Sequence, residues 1–239
     1  MERIDKLLCS TGRWSRREVK ELVRQGRVFS DGRAVQRPEE KADPGTVCLT
    51  VDGQPVDCST YVYVMLHKPA GLLSATEDSR QPTVLELLPP ELRRRGLFPV
   101  GRLDKDTTGL LLLTDNGDLA HRLLSPKKHV DKVYLARVEG RVDAGDVDAL
   151  AAGMVLADGL CCLPAGLEPL RDGSECRVTL REGKYHQVKR MLAARGKPVV
   201  SLHRLQMGPL ALDEDLKPGE WRYLSNLERA ELLGAGQLQ

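Results

Sequence analysis

The segment Gly101-Arg102-Leu103-Asp104-Lys105-Asp106-Thr107-Thr108-Gly109 is followed at once by the apolar run Leu110 to Leu113. The arginine lies two residues before Asp104, and Asp104 belongs to a turn that leads into a predicted buried strand. Such a carboxylate would lie at the mouth of the strand, beside a cation, where the glycines allow a ligand to approach closely. The segment therefore predicts a functional carboxylate at the end of a central strand.

Three other kinds of segment share part of this pattern: a phosphatase motif, a Ca²⁺ loop and a surface turn. Asp104-Lys105-Asp106-Thr107-Thr108 also fits the D-x-D-x-T motif of haloacid-dehalogenase-type phosphatases, but those need an apolar strand directly before the aspartate, where Gly101-Arg102 stands. A Ca²⁺ loop would end in a bidentate glutamate, and Asp115 occupies that position. A surface turn with capping aspartates remains open on this segment alone, so the rest of the chain has to decide.

Composition sets broad limits on the class of protein. The chain has 239 residues, 41% of them hydrophobic, a formal net charge of +2 and a pI of about 8.2. This charge is too small to indicate nucleic-acid binding by itself. The six cysteines form no C-x-x-C pair, which favours a reduced, cytoplasmic protein. The N-terminus has no apolar signal core, and no run approaches the roughly 18 apolar residues of a membrane span, so we expect no membrane partner.

Residues 1–58 are predicted to form a separate domain. Ser15 and Glu18 fit a capping box at the start of a helix that Gly26 ends. At about 100° per residue, four cations of this helix fall within an arc of roughly 100°. We call them the cationic arc: Arg16, Arg17, Lys20 and Arg24. A hairpin turn is predicted at Asp31-Gly32.

This pattern resembles the S4-like RNA-binding domain, in which two short helices and a small sheet present a basic face to RNA. The matching segments are Arg3-x-Asp5-Lys6-Leu7-Leu8, Ser15-Arg16-Arg17, Gln25-Gly26-Arg27-Val28 and Asp31-Gly32. The resemblance implies that the cationic arc binds RNA phosphates.

Residues 59–239 are predicted to form a second domain in which strands and helices alternate without regular βαβ spacing. The predicted strands are 61–66, 110–114, 132–139, 176–180 and 199–205, and the predicted helices are 83–88, 118–124, 147–152, 185–195 and the tail from 226. Residues 76–100 are otherwise predicted to be rich in loops, and Pro126 is predicted to stop a helix. This order favours an α+β fold with a mixed, largely antiparallel sheet flanked by helices.

Four more segments accompany the Asp104 segment in this domain. They are His67-Lys68-Pro69-Ala70-Gly71, Lys132-Val133-Tyr134-Leu135, Glu182-Gly183-Lys184-Tyr185-His186-Gln187-Val188-Lys189-Arg190-Met191, and Leu202-His203-Arg204 with Gly208-Pro209-Leu210. Their order and spacing resemble the pseudouridine synthases of the RsuA/RluB/RluE/RluF type. The resemblance covers nearly the whole chain and is strongest to the RsuA-type, small-subunit branch.

The resemblance implies an isomerase that breaks the base–ribose bond of a uridine in ribosomal RNA, rotates the base and rejoins it through carbon. Asp104 would be the nucleophile, Lys189 the cation that keeps it ionised, and Tyr134 a flat face and proton-transfer hydroxyl for the uracil. The base must leave its stack, at a cost of a few kcal/mol. Arg102 would fill the resulting gap or clamp a phosphate.

Two further residues are implied to act on RNA. Lys68 lies in the segment expected beside the active cleft, and His186 is expected to be structural or to position RNA rather than to catalyse. The implied partner is 16S ribosomal RNA, most specifically uridine 516. We expect a monomer that uses no cofactor and no metal, since neither a ligand cluster nor a Gly-rich phosphate cradle is visible in the sequence.

Two alternatives remain for the function. A large-subunit (23S) enzyme of the same family shares most of these segments. A non-catalytic RNA-binding ribosome-assembly factor could have kept the fold, although the intact Asp104, Tyr134 and Lys189 argue against it. An S4-containing methyltransferase is disfavoured because the sequence has no G-x-G strand turn for S-adenosylmethionine.

Overall fold

The computed structural model describes residues 1–125, 128 and 130–235, and its contacts divide the chain into two compact units. The first unit comprises residues 1–62 and 88–97, and the second comprises residues 63–87 and the described residues from 98 onward. Residues 59–62 and 88–97 thus lie with the N-terminal unit, while the domain boundary after residue 58 stays a prediction.

The first unit combines short helices with two small antiparallel sheets. Its helices are α1 (Ile4–Ser10), α2 (Arg16–Arg24) and α3 (Pro90–Arg94), and its strands are β1 (Glu2–Arg3), β2 (Val28–Ser30), β3 (Arg33–Ala34), β4 (Lys41–Ala42), β5 (Leu49–Val51) and β6 (Gln54–Val56). One sheet has the order β3-β2-β5-β6, and β1 pairs with β4 in the other. The turn at Asp31-Gly32 has φ values of 49° and 79°, as a tight hairpin requires.

Helix α2 begins where its capping residues predict. The Ser15 side chain accepts a hydrogen bond from the Glu18 amide, and the Glu18 side chain accepts one from the Ser15 amide. Its buried face consists of Val19, Leu22 and Val23, which join the core of the first unit. The opposite side of the helix is therefore left to its cations.

The second unit is built on a nine-stranded sheet with the path β13-β14-β10-β15-β9-β7-β17, from which β8 and β16 branch. Its strands are β7 (Tyr63–Lys68), β8 (Phe98–Pro99), β9 (Thr108–Thr114), β10 (Lys132–Val138), β11 (Met154–Val155), β12 (Cys161–Cys162), β13 (Gly166–Leu170), β14 (Glu175–Leu180), β15 (Val199–Met207), β16 (Leu210–Ala211) and β17 (Trp221–Tyr223). The helices are α4 (Gly117–Leu124), α5 (Ala144–Ala151), α6 (Gln187–Ala194) and α7 (Asn226–Ala235), with a 3₁₀ turn at Val84–Leu87. Strands β11 and β12 form a separate pair.

Strand β9 occupies the middle of this sheet and is buried on both faces. All four leucines from Leu110 to Leu113 are fully buried, and Leu110 and Leu112 pack in one core cluster with Met65, Leu119 and Leu123. The β9–β15 contact is parallel, whereas the other strand pairs of this sheet are antiparallel. The predicted α+β fold with a mixed, largely antiparallel sheet is confirmed.

Gly109 sets the spacing at the start of β9, where it lies between Lys68 of β7 and Arg204 of β15. A Cβ atom at this position would lie 2.3 Å from the backbone oxygen of Arg204, and the φ angle is +103°. Both facts require glycine. This close approach of β9 to β15 fixes where the preceding Asp104 turn emerges from the sheet.

The structure differs from the predicted elements at several places. Helix α3 lies within the segment that was expected to be loop; Pro89 and Pro90 are compatible with its first turn because a helix start needs no amide donor there. Helix α6 begins at Gln187 rather than at residue 185, because His186 has a left-handed backbone. Strands β13 and β17 were not predicted. The predicted helix stop at Pro126 lies outside the described residues.

In the part of the chain that the structure describes, we find no helix that combines the length and the apolar character needed to cross a membrane.

Candidate active site

Asp104 lies in the turn before β9, and its side chain is 24% exposed. The Asp104 carbonyl accepts a hydrogen bond from the Thr107 amide at 3.1 Å. Next to it, the Ser74 hydroxyl accepts from the Leu103 amide at 3.1 Å and donates to the Leu103 carbonyl at 3.0 Å. The backbone around the carboxylate is thus fixed on both sides, which is the preorganisation that catalysis needs.

Lys68 donates hydrogen bonds to the backbone of this turn. Its ammonium lies 2.9–3.2 Å from four backbone carbonyl oxygens, those of Pro69, Asp104, Lys105 and Thr107. The residue is 0% exposed, and burial lowers its pKa to about 8 despite the nearby carboxylates. The assignment of Lys68 to RNA contact is therefore corrected: in this structure it has no accessible surface for RNA, and it braces the loop that carries Asp104.

Lys189, in the first turn of α6, connects two carboxylates. Its Nζ lies 3.1 Å from Asp104 Oδ2 and 2.5 Å from Asp106 Oδ1. Burial by itself would lower the Lys189 pKa, but the hydrogen bonds to both aspartates outweigh it and raise that pKa. The hydrogen bond from Lys189 lowers the pKa of Asp106. The predicted proximity of Lys189 to Asp104 is observed, whereas the contact to Asp106 was not foreseen.

Tyr134 of β10 is 8% exposed and lines a pocket with Asp104. The lining residues are Arg102, Leu103, Asp104, Thr107, Tyr134, Leu180, Gly183, Lys184, His186, Gln187, Val188 and Leu202. Carboxylate and cationic groups thus share one concave site with apolar side chains and a tyrosine. Such a site can hold a flat, polar ring against the aspartate.

Arg102 is exposed at this pocket, and among the described residues no ion pair of its guanidinium is found. It is therefore available to a ligand with acceptor groups, such as a phosphate. His186 is also at the pocket, with Nε2 3.5 Å from Asp104 Oδ1. The structure thus brings together Asp104, Lys189, Tyr134, Arg102 and His186, and their catalytic and RNA-binding roles stay predictions.

A hydrogen-bond network shapes the loop before α6. The Gln187 side-chain amide donates to Glu182 Oε1 at 2.6 Å, and the Lys184 amide donates to Gln187 Oε1 at 3.0 Å. Glu182 also accepts from the Leu163 amide at 2.8 Å. Glu182 and Gln187 are both buried, so the network fixes the backbone that carries residues 184–187. This network was not predicted from the sequence.

Two cations are buried on the neighbouring strands β10 and β15. Arg204 stands opposite Tyr134 in the β10–β15 register, is 2% exposed and donates from Nε to the Leu110 carbonyl at 2.8 Å. Lys132 is also buried, and burial together with the Arg204 charge lowers its pKa to about 8. Arg204 Nη2 has no hydrogen-bond partner. The motif that predicted these positions did not predict their burial.

The cationic arc belongs to the first unit, and all four of its residues are exposed. Arg24 is paired with Glu21 through bonds of 2.9 and 2.6 Å. For Arg16, Arg17 and Lys20 the described part of the chain offers no hydrogen-bonded acidic partner. Three cations with free donors on one capped helix can bind phosphates.

Among the described residues, no three histidine, cysteine, aspartate or glutamate side chains lie together in a group that could hold a metal ion.

Two family profiles match this chain. The RNA pseudouridylate synthase family matches residues 62–194, and the S4 domain matches residues 2–48. A solved structure described as a crystal structure of pseudouridylate synthase has a TM-score of 0.68 and 35% identity, and the match covers 97% of this chain and 100% of that one.

Relatives match over nearly their full length. The protein named Uncharacterized RNA pseudouridine synthase YtzG of Bacillus subtilis (strain 168) is 49% identical over 229 residues, which cover 95% of this chain and 96% of the relative. Ribosomal small subunit pseudouridine synthase A of Pseudomonas aeruginosa is 42% identical, and the match covers 93% of this chain and 96% of the relative. The protein of the same name from Vibrio cholerae is 39% identical, and the match covers 96% of this chain and 99% of the relative.

This chain belongs to the RNA pseudouridylate synthase family and carries an S4 domain. It is accordingly an RNA pseudouridine synthase of the RsuA-like type, an isomerase, as the sequence resemblance predicted.

Proposed function

We propose that this protein converts one uridine of 16S ribosomal RNA, uridine 516, into pseudouridine with Asp104 as the nucleophile. The observation that carries the proposal is the Asp104 carboxylate, which lies 3.1 Å from the Lys189 ammonium in a pocket walled by Tyr134. The choice of the small-subunit RNA follows the names of the relatives from Pseudomonas aeruginosa and Vibrio cholerae.

The reaction exchanges one bond of the nucleotide for another. The bond between N1 of uracil and C1′ of ribose breaks, a bond between C5 and C1′ forms, C5 loses a proton and N1 gains one. Atoms balance without an oxidant, a reductant or a second substrate, so the proposal includes no cofactor and no metal. A carboxylate nucleophile can divide this exchange into two easier steps through a covalent intermediate.

Each pocket residue has a role in this scheme. Lys189 stabilises the negative charge of Asp104, and Lys68 holds the carbonyls of the turn so that the carboxylate stays in place. Tyr134 supports the extruded uracil and offers a hydroxyl for proton transfer. Arg102 occupies the gap that the extruded base leaves or clamps a phosphate, and His186 positions the RNA.

The first unit supplies affinity in this proposal. The cationic arc contacts RNA phosphates, which set the strength of binding more than the choice of sequence. We further propose that the enzyme acts as a monomer in the cytoplasm, on RNA of an assembling small subunit. The second candidate, a non-catalytic assembly factor, would have no need for the buried support that Lys68 gives to Asp104.

Incubation of the purified protein with unmodified 16S and 23S RNA, each tested both free and assembled with the proteins of its subunit, tests the proposal, with pseudouridine mapped at nucleotide resolution. We expect one pseudouridine, at uridine 516 of 16S RNA, and equal conversion in the presence of EDTA. A product in 23S RNA would move the substrate to the large subunit. Loss of activity in EDTA with intact RNA folding would contradict the metal-free scheme, and no product in either RNA would favour the assembly factor.

A further inference from the structure

A pair of stacked rings adjoins the pocket, because one of the two, His186, is a lining residue. The Tyr185 and His186 rings are 3.9 Å apart between centroids with an interplanar angle of 16°. Tyr185 is 73% exposed, so the face of its ring that does not contact His186 is open to solvent. His186 itself lines the pocket and lies 3.5 Å from Asp104. The His186 ring thus separates the open face of Tyr185 from the Asp104 carboxylate.

The backbone beneath the rings is strained and firmly held. His186 has φ 49° and ψ 33°, a left-handed conformation that costs a residue with a side chain on the order of 1–2 kcal/mol. The His186 carbonyl accepts from the Arg190 amide at 2.9 Å, and the Gln187 amide donates to the Lys184 carbonyl at 3.2 Å. Together with the Glu182–Gln187 bond, these contacts fix the direction of both rings. Strain maintained in this way is typical of functional sites.

The surroundings suit a nucleic acid. Arg102 lines the same pocket, and among the described residues its guanidinium has no ion pair. Lys184 is paired with Glu182, and Lys189 is paired with Asp104 and Asp106. Of these three cations, Arg102 can therefore contact a phosphate of an RNA strand that lies beside the rings. When a target base leaves its stack, the neighbouring base loses a stacking partner. An aromatic ring with a free face can replace that partner for any of the four bases.

We propose that the Tyr185–His186 pair is a stacking site for the nucleobase next to the target uridine. The site is a binding subsite for RNA that adjoins the catalytic pocket through His186, and its occupant is one flanking base of the same substrate strand. The inference rests on the proposed function, because it needs an RNA whose target base enters the pocket beside Asp104.

The test compares the affinities of protein variants for RNA variants. A 16S RNA segment centred on uridine 516 is made with its normal bases, with an abasic 5′ neighbour and with an abasic 3′ neighbour. The proteins are wild type, Tyr185→Ala and Tyr185→Phe, and Kd is measured at one salt concentration. Tyr61→Ala is the matched control, since Tyr61 is an exposed tyrosine far along the chain from this segment.

We expect Tyr185→Ala to bind normal RNA about tenfold more weakly, because base–aromatic stacking contributes roughly 5- to 150-fold in affinity. Tyr185→Phe should bind as wild type, since stacking uses the ring face. On one of the two abasic RNAs, wild type and Tyr185→Ala should bind equally, while Tyr61→Ala should match wild type on all three.

Two outcomes overturn the stacking site: Tyr185→Ala binds normal RNA as well as wild type, or its defect persists equally on both abasic RNAs. The latter would indicate a general structural role. Conversion of the normal RNA is followed in the same samples. If the wild-type protein binds but forms no pseudouridine, the proposed function fails, and the comparison of affinities still decides separately whether the rings stack on a base.

Discussion

Alanine at Gly109 should destabilise the second unit severely, because the added methyl group has no space between β9 and β15. The new Cβ would lie 2.3 Å from the Arg204 oxygen, 2.6 Å from its nitrogen and 3.0 Å from its carbonyl carbon. All three atoms belong to the backbone of a central strand, so none can rotate away. The methyl group fits only if the two strands separate.

The expected magnitude has two parts. A φ angle of +103° costs a residue with a side chain on the order of 1–3 kcal/mol, and displacement of packed backbone costs about 1–3 kcal/mol more. A total of about 4 kcal/mol would lower the midpoint of thermal unfolding by roughly 8–16 °C for a domain of this size. Separation of the strands would also displace the turn with Asp104, so the rate should fall in the fraction that remains folded.

Circular dichroism during heating measures this effect, and Gly166→Ala is the matched control. Gly166 is also a strand glycine, but its new Cβ would meet Thr179 at an ordinary 3.5 Å. We expect a change within about 0.5 kcal/mol there. If Gly109→Ala unfolds within 2 °C of wild type, or about where Gly166→Ala does, then the close approach of β9 to β15 does not position the site and this reasoning is refuted.

Three other predictions concern RNA binding, the chemical step and pH. Replacing Arg16, Arg17 and Lys20 by alanine should weaken the binding of cognate and unrelated RNA equally. The slope of log K against log salt should become shallower by up to about three. A loss of affinity confined to cognate RNA in titrations would contradict phosphate binding. Arg102→Ala should slow single-turnover conversion at saturating enzyme while Kd changes little, and a defect that disappears at saturation would reverse this role. Arg222 lowers the Glu228 pKa from 4.5 to about 2, so this carboxylate stabilises the fold above pH 4.5 and the contribution is lost as the pH falls toward 2. Glu228→Gln should therefore reduce the free energy of unfolding by about 2 kcal/mol at pH 7, after allowance for solvent screening, and by less than half of that at pH 3. An equal difference at both pH values in denaturant titrations would contradict the ion pair.

Local signals in the sequence predicted much of the fold. The capping box of Ser15 and Glu18 lies within four residues, and the run Leu110 to Leu113 is apolar without interruption, so both elements follow from neighbouring residues alone. Helix α6 shows where this reasoning fails. Its start was predicted at residue 185, whereas the actual start depends on the left-handed backbone of His186 and on the buried Glu182–Gln187 bond. Such tertiary constraints have no local signature.

The sequence predicted which residues form the candidate site better than it predicted how they contact one another. The Asp104–Lys189 contact joins residues far apart in sequence, and only the family resemblance paired them. Lys68 was expected to contact RNA because its segment resembles the family segment beside the active cleft. In the structure its ammonium is buried among four carbonyls, an arrangement that depends on how the turn folds over β7. The contact of Asp106 with Lys189 was not predicted either, because it also depends on how this turn folds.

The central claim is that Asp104 is the nucleophile, and replacement by asparagine tests it most directly. Asparagine keeps the shape of the side chain, and loss of a partly exposed ion pair costs no more than about 1 kcal/mol, so folding and RNA affinity should remain. Asp106→Asn, which also removes a carboxylate bonded to Lys189, is the matched control and should be far milder. Single-turnover formation of pseudouridine is measured for both purified variants. We expect Asp104→Asn to lose several orders of magnitude in rate; conversion at more than about a tenth of the wild-type rate would contradict the account.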